Sequence, residues 1–439
     1  MMTHQQAIDS AISAAAWINQ FQQRTEHGLC WSRTPEKPKG VRRDLYHGSA
    51  GIALFMTEHY LATGDVSYRD TARAAGADID FYLRSKDFLS CAMLTGWPGY
   101  AFALNEISKH CDVPELRDAA IYCLDKLRAQ ATTVGSGIGF IEEMPFSDIT
   151  GFSGKREIFD TSVGAAGAAL VLIYAHEEGL HEQALDWAQS ICDRLLDVAT
   201  KVEGGLTWGL MSDCPFPFEA PNFAHGGAGV GYLMARLYQH IPEEKYLSAA
   251  TQAAAYLQTI ASPVGTGHLV RHTMARDGEG RFYLGQCHGP PGTARLFRLL
   301  SDISGEQEWN QWGQGLTDGL IATKAPEERG DGLWNNVSQC CCDAGIGDHA
   351  LFLYRDTQNE KYLDLALRTG TEIIRRSEKD DVTSNLYWPQ AEHRARPDFV
   401  ENQTGYMQGA AGVGSFLLHL ATVEKGDPVK IIFPDAPLI

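Results

Sequence analysis

The chain has 439 residues, of which 44% are hydrophobic and 21% charged, and it carries a formal net charge of −18 at pH 7. This composition is typical of a soluble globular protein, and its acidity argues against nucleic acid or an anionic membrane as a main partner, because phosphate groups bind basic patches. The sequence contains neither about 18 uninterrupted apolar residues nor the basic start and apolar core of a signal peptide. We therefore expect a cytoplasmic protein without membrane insertion. In a reducing cytosol its ten cysteines should be free thiols or metal ligands rather than disulfides.

A glycine motif recurs seven times along the chain, and each copy opens an apolar run with helical periodicity. The copies are HGSAG at 47–51, TGWPG at 95–99, VGAAG at 163–167, HGGAG at 225–229, HGPPG at 288–292, CCDAG at 341–345 and QGAAG at 408–412. In the sixth copy, Cys342 stands where the other copies have their first glycine. The recurrence indicates seven equivalent structural units.

A second, more amphipathic helical segment precedes each copy, from HQQAIDSAISAAAWINQFQQ near the N-terminus to KYLDLALRTGTEIIRRSEK before the last motif. Seven helical hairpins can close into two concentric rings that bury every apolar face, whereas an open solenoid needs polar caps. We predict an all-α fold, a closed α/α toroid with seven inner and seven outer helices, as one domain over residues 1–439. The inner helices should start at the glycine motifs, on one rim of a central cavity.

The two residues before the first glycine of each motif should meet at that rim. They are Tyr46-His47, Leu94-Thr95, Ser162-Val163, Ala224-His225, Cys287-His288, Cys340-Cys341 and Met407-Gln408. Zinc favours three or four sulfur or nitrogen ligands. Cys287, Cys340 and Cys341 are the favoured set, with His288, His225 or Cys342 as possible substitutes. The other cysteines are expected to be small buried hydrophobic residues; they are Cys30, Cys91, Cys111, Cys123, Cys192 and Cys214.

Over nearly the whole chain these motifs resemble those of the lanthionine synthetase cyclases, the LanC-like proteins. QCHGPPG is similar to the family's metal motif Cys-Tyr-Gly-x-Pro-Gly and implies Cys287 as a ligand. CCCDAG is similar to Cys-His-Gly-x-Ala-Gly and implies Cys340 and, in the histidine slot, Cys341, as in a Cys-Cys-Gly branch of these cyclases. AHGGAG matches the general acid/base motif at His225, and FDTSVG matches the family's acidic residue at Asp160.

Some positions depart from the family pattern. Gln286 and Tyr283 occupy the places of a Trp and an Arg that often precede the first metal cysteine; Arg271, Arg276 and Arg281 lie nearby in sequence as possible replacements. His288 could be a second acid/base, an alternative ligand or a structural histidine. The charged stretch EHRARPDF at 392–399 is typical of a solvated loop.

The resemblance implies a toroid around a zinc site and a thiol addition to dehydroalanine or dehydrobutyrine in a dehydrated precursor peptide. His225 would protonate the resulting enolate and Asp160 would orient it. Implied partners are that peptide, a separate dehydratase of the kinase or lyase type, and a transporter of the same pathway. Two alternatives stay open: a non-cyclising LanC-like protein that binds zinc and thiols or peptides, and an α/α-toroid glycoside hydrolase, which needs two positioned carboxylic acids.

Overall fold

The computed structural model describes residues 2–143, 153–213, 220–275, 280–423 and 431–436, and α-helices dominate these ranges. The described helices are α1 (His4–Asn19), α2 (Ser49–Thr63), α3 (Val66–Arg84), α4 (Trp97–Cys111), α5 (Pro114–Gln130), α6 (Ala165–Glu177), α7 (Ala184–Asp197), α8 (Gly227–His240), α9 (Glu244–Ile260), α10 (Pro290–Ser304), α11 (Gln307–Ala322), α12 (Asp343–Thr357), α13 (Glu360–Arg375) and α14 (Ala410–Val423). Each even-numbered helix begins within one of the seven glycine motifs. None of the helices in the described ranges combines the length and apolarity needed to cross a bilayer.

Short antiparallel strands lie in the connections between these helices. They are β1 (Gln22–Arg24), β2 (Leu29–Ser32), β3 (Val41–Arg42), β4 (Thr132–Val134), β5 (Gly137–Gly139), β6 (Ile141–Glu143), β7 (Lys155–Glu157), β8 (Thr200–Val202), β9 (Gly205–Thr207), β10 (Ser262–Val264), β11 (Gly267–Leu269), β12 (Glu378–Lys379), β13 (Leu386–Tyr387), β14 (Pro389–Gln390) and β15 (Glu401–Asn402). The first three form one sheet in the order β1-β2-β3, and the rest pair in sequence from β4-β5 to β14-β15. Similar β-hairpins, each with a two-residue turn, follow α5, α7 and α9, so the repeat extends into the connections.

The helices form two layers that close on themselves. Each inner, even-numbered helix packs against the outer, odd-numbered helix that follows it, and also against the inner helices on either side. The last inner helix, α14, has no following outer helix among the described residues and packs against α1 instead, while also contacting α2 and α12. The N-terminal helix thus completes the outer layer beside the last inner helix. The prediction of an all-α closed toroid is confirmed; the extent of one domain over 1–439 stays a prediction.

A ring of backbone hydrogen bonds joins the seven motifs at the start of the inner helices. It consists of the residues two positions before the first glycine, each donating its N–H to the carbonyl of the next. The N···O distances are 3.0 Å for Tyr46 to Leu94, 3.4 Å for Leu94 to Ser162, 3.3 Å for Ser162 to Ala224, 2.9 Å for Ala224 to Cys287, 3.1 Å for Cys287 to Cys340, 3.0 Å for Cys340 to Met407 and 3.0 Å for Met407 to Tyr46. The last bond closes the ring.

The glycine that ends each motif is required by close packing. A Cβ at any of these positions would lie 1.9–2.4 Å from the carbonyl oxygen six residues earlier, far inside van der Waals contact. The positions are Gly51, Gly99, Gly167, Gly229, Gly292, Gly345 and Gly412. A Cβ at each of the seven positions would also contact the side chain of the residue two positions before the neighbouring motif; for Gly51 that residue is Tyr406, before the seventh motif. Absence of a side chain here lets each motif approach its neighbour.

The segment 431–436, near the C-terminal end of the described residues, packs against the inner helices. Phe433 packs against Phe102 of α4 and against Tyr406. Tyr232 Oη of α8 donates to the carbonyl of Ala436. Arg295 of α10 forms an ion pair with Asp435, with an N–O distance of 3.1 Å. Contacts with three different inner helices place this segment inside the inner ring.

A buried ion network lies on the inner helices. His419 of α14 lies 3.1 Å from Glu58 of α2 and 2.8 Å from Asp348 of α12. Although burial lowers the pKa of His419, the two carboxylates raise it to about 10. The imidazolium therefore joins three inner helices by charge-assisted hydrogen bonds.

We expect Gly99→Ala to lower the free energy of unfolding by about 1–3 kcal/mol, because its Cβ would lie 2.2 Å from the Met93 carbonyl oxygen. Alanine is otherwise the better helix former, so a lower free energy of unfolding would result from the clash and not from helix propensity. The matched control is Gly330→Ala, where a Cβ meets nothing within 4 Å and stability should change by less than about 0.5 kcal/mol. The midpoint of urea-induced unfolding measures both; equal midpoints for the two variants would contradict the packing argument.

Candidate metal centre

The hydrogen-bonded ring brings the three predicted cysteine ligands together. Cys287 and Cys340 are adjacent members of the ring, and Cys341 follows directly. The three sulfur atoms lie within 4.8 Å of one another, and Cys287 Sγ is 3.9 Å from Cys341 Sγ. Among the described residues no other group of Cys, His, Asp or Glu places three ligand atoms so close. Cys287 and Cys340 are buried, while Cys341 is partly exposed.

This arrangement fits a tetrahedral metal. Zinc binds thiolate sulfur at about 2.3 Å, so two sulfurs of a tetrahedral site are about 3.8 Å apart. The 3.9 Å between Cys287 and Cys341 matches that spacing. Three ligands from the chain leave the fourth position for a substrate, as in catalytic rather than structural zinc sites.

The protons of the three thiols show why a cation suits this position. The thiols of Cys287 and Cys341, with the hydroxyl of Tyr46, hold the pKa of Cys340 well below its ordinary value against the effect of burial. The hydrogen bond to Cys340 raises the pKa of Cys287. Hydrogen bonds to Cys287 and Cys340 likewise raise the pKa of Cys341. Three adjacent thiolates need a positive ion to offset their charge.

The other cysteines lie apart from this group. Cys342 is fully buried at the start of α12 and does not belong to the three-sulfur cluster. As predicted, the further cysteines within the described ranges are free and buried; they are Cys30, Cys91, Cys111, Cys123 and Cys192. Cys214 lies outside the described residues.

His225 and Asp160 form a hydrogen-bonded pair beside the cysteines. His225 Nδ1 lies 2.6 Å from Asp160 Oδ2, and the other Asp160 oxygen accepts from the Val163 N–H at 2.7 Å. An ionised carboxylate only accepts, so Nδ1 carries the hydrogen and Nε2 is the atom available to a ligand. Burial lowers the pKa of His225, but Asp160 and Cys340 raise this pKa by more than burial lowers it. The net pKa of His225 therefore lies above its ordinary value.

His288 lies next to His225, with 5.2 Å between the ring centroids. Burial, together with His225 and His272, holds the pKa of His288 well below its ordinary value. His288 is therefore a neutral imidazole at neutral pH. Tyr283 packs edge-on against it at 5.5 Å and stacks on His272 at 4.4 Å.

The segment 392–399 contributes two residues that the sequence analysis missed. The prediction of a solvated loop fits most of this segment, since residues 393 and 395–399 are exposed. The prediction is wrong for Glu392, which lies 3.2 Å from His47 Nε2 and 2.5 Å from Arg33 Nη2. Burial raises the pKa of Glu392, but His47 and Arg33 lower it to about 2. It is also wrong for Arg394, whose Nε donates to Tyr283 Oη at 2.7 Å.

Two of the three arginines considered as replacements for the missing family Arg lie within the described residues. Arg281 pairs with the exposed Asp331 at 3.5 Å, and the backbone carbonyl of Arg271 accepts from Asn222. Arg276 lies outside the described residues. The guanidinium that reaches Tyr283 is that of Arg394, distant in sequence.

Comparison with known proteins places this geometry in a family. The profile of the lanthionine synthetase C-like proteins matches residues 40–437, most of the chain. The chain belongs to the lanthionine synthetase C-like family. The resemblance drawn from the LanC-like motifs is thereby confirmed. A search of curated protein sequences found no match.

Solved structures share the LanC-like fold at low sequence identity. Nisin cyclase aligns with a TM-score of 0.61 and 16% identity over 95% of this chain and 94% of its own. A protein from Listeria innocua aligns at 0.52 and 13% identity, covering 98% of this chain and 99% of its own. A GH76 alpha-mannanase from Bacteroides thetaiotaomicron aligns at 0.50 and 12% identity, covering 97% of both chains. At these identities the likeness shows the fold.

We expect this LanC-like chain to bind one zinc ion, and alanine at Cys287, Cys340 or Cys341 to abolish that binding, because two protein ligands are too few. Cys342→Ala is the matched control, since its sulfur is outside the cluster, and it should keep the metal. Elemental analysis of purified protein against protein concentration measures the stoichiometry. Full zinc in all three variants, or loss in Cys342→Ala alone, would contradict the ligand assignment.

Proposed function

We propose that this protein is a zinc-dependent lanthionine cyclase that joins cysteine thiols of a dehydrated precursor peptide to its dehydroalanine or dehydrobutyrine residues. The observation that supports this most is the cluster of three cysteine sulfurs within 4.8 Å, beside the hydrogen-bonded pair of His225 and Asp160. Membership of the LanC-like family and the fold shared with nisin cyclase support it further.

The proposed reaction forms a carbon–sulfur bond and needs two proton movements. Zinc bound by Cys287, Cys340 and Cys341 would act as a Lewis acid that lowers the pKa of the peptide thiol. The thiol gives up its proton to solvent, the sulfur adds to the β-carbon of the dehydrated residue, and the alkene electrons move toward the carbonyl to give an enolate. A proton must then reach the α-carbon, and no other atom is gained or lost.

His225 is the residue that we assign to this protonation. Its Nδ1 is held by Asp160, so Nε2 is the ring nitrogen left to carry the exchangeable proton. The carboxylate keeps the imidazolium populated and maintains one ring orientation. His288, neutral and adjacent, is suited to hydrogen bonding with the same reacting peptide unit rather than to donating a proton as an imidazolium.

The dehydrated residues consumed in this reaction require a supplier. Dehydroalanine and dehydrobutyrine arise by loss of water from serine and threonine, so a separate dehydratase would act earlier on the same peptide. The glycoside hydrolase alternative is disfavoured because the carboxylates of Asp160 and Glu392 are each engaged by a histidine.

Incubating the zinc-loaded protein with a dehydrated precursor and alkylating the remaining thiols tests the function. Addition leaves the peptide mass unchanged but removes one alkylation site per ring, which mass spectrometry counts. We expect thiols to disappear with enzyme and to persist with Cys340→Ala. Zinc-loaded protein that binds the peptide without loss of thiols would favour the non-cyclising alternative instead.

We expect His225→Ala to retain zinc and fold but to slow ring closure by roughly 10²- to 10⁴-fold, the usual contribution of a positioned acid or base. Because His225 donates its proton as an imidazolium, the rate should fall as pH rises through its pKa. Asp160→Asn removes the charge that raises this pKa, so the fall should move to lower pH. Single-turnover rates over a pH series measure both effects; loss of zinc in His225→Ala would instead make His225 a ligand.

A further inference from the structure

Gln408, at the last position before the first glycine of the seventh motif, contacts the cysteine cluster directly. Its side-chain Nε2 lies 3.1 Å from Cys341 Sγ and 3.0 Å from Tyr46 Oη. The residue is 1% exposed. An amide nitrogen carries two hydrogens, so each can serve one of these contacts.

The orientation of this amide follows from its neighbours. The backbone N–H of Ser338 donates to Asn336 Oδ1 at 2.7 Å, so the other end of the Asn336 amide must be its NH2 group. That NH2 donates to Gln408 Oε1 at 3.0 Å and to the Ala391 carbonyl at 2.8 Å. Gln408 therefore accepts on the side of Asn336 and presents its NH2 to the sulfur.

The same amide also holds the hydroxyl of Tyr46, which accepts from Gln408 Nε2 at 3.0 Å. The backbone of Gln408 is also held, because Gln390 donates to its carbonyl. One buried side chain thus contacts Cys341 and Tyr46, and its backbone carbonyl is held as well.

The number of cysteines explains why such a donor is needed. A zinc ion with two thiolates and a neutral imidazole has no net charge, whereas three thiolates give −1. Buried negative charge is costly unless hydrogen-bond donors or positive charges compensate it. The side-chain N–H of Gln408 donates to the sulfur of Cys341, and Cys341 is the cysteine that adds this negative charge.

We propose that Gln408 is a positioning residue of the metal centre, whose N–H group stabilises the Cys341 thiolate and offsets the charge of the third cysteine. This inference rests on the zinc site proposed above. Ligating groups are tuned by hydrogen bonds from the surrounding residues, and loss of one such partner typically weakens metal binding by about 10- to 100-fold.

Gln408→Leu removes the donor while keeping a buried side chain of similar size, and should weaken zinc binding by about 10- to 100-fold in chelator competition. Gln408→Glu keeps the acceptor for Asn336 but places an acceptor against the sulfur, and should weaken binding at least as much. The matched control is Gln403→Leu, a buried glutamine whose amide contacts Arg33 and Glu392, which should keep its zinc affinity.

A spectroscopic measurement separates this role from a loss of packing. In cobalt-substituted protein the hydrogen bond lowers the energy of the sulfur lone pairs, so Gln408→Leu should move the sulfur-to-cobalt charge-transfer band to longer wavelength. Gln403→Leu should leave the band in place. An unshifted band in Gln408→Leu would overturn the proposal.

The coupling to Cys341 gives the sharpest test. In a Cys341→His background the sulfur that Gln408 contacts is gone, so adding Gln408→Leu should weaken zinc binding by less than about threefold. An equal penalty in both backgrounds, or wild-type affinity in Gln408→Glu, would overturn the role of Gln408 while leaving the zinc site intact. Wild-type protein that binds no zinc would contradict the zinc site itself and this inference with it.

Discussion

The closed ring of seven backbone hydrogen bonds is the constraint on which the rest of the molecule depends. Each bond joins residues that are distant in sequence, and each member uses its N–H toward one neighbour and its carbonyl toward the other. Such bonds contribute about 1 kcal/mol each, but their geometric effect is larger, because they set the mutual position of seven helix starts. Cys287 and Cys340 become neighbours as adjacent members of this ring.

The glycine pattern explains why so much of the fold and of the site was predictable. The glycine that ends each motif is required for the same reason in all seven motifs, since the carbonyl six residues earlier leaves no room for a Cβ. Because this packing constraint occurs seven times, the same glycine pattern recurs seven times in the sequence. Once the motifs were aligned, the equivalence of their preceding residues brought Cys287, Cys340 and Cys341 together. The same alignment held the signal for Gln408, whose amide contacts Cys341.

Other parts of the site follow no repeat and could not be predicted. Glu392 and Arg394 lie in a connection whose charged composition resembles that of a solvated loop, and only the folded chain shows their contacts with His47 and Tyr283. The direction of the Gln408 amide depends on Asn336 and Ser338, through a sequence of donors and acceptors that no spacing reveals. Composition describes the average surroundings of such residues, whereas function depends on single contacts made across the ring.

The packing of α1 against α14 has a consequence for the order in which the protein can be completed. Roughly 390 residues separate the end of α1 at Asn19 from the start of α14 at Ala410. At a synthesis rate of about 5–20 residues per second, the ribosome needs roughly 20–80 s to add them. For that time the first helix leaves the ribosome without its partner, and its buried alanines and Trp17 have no surface to cover them. Closure of the outer layer therefore waits for the synthesis of α14, and until then α1 is a segment of the nascent chain for which a chaperone would have a use.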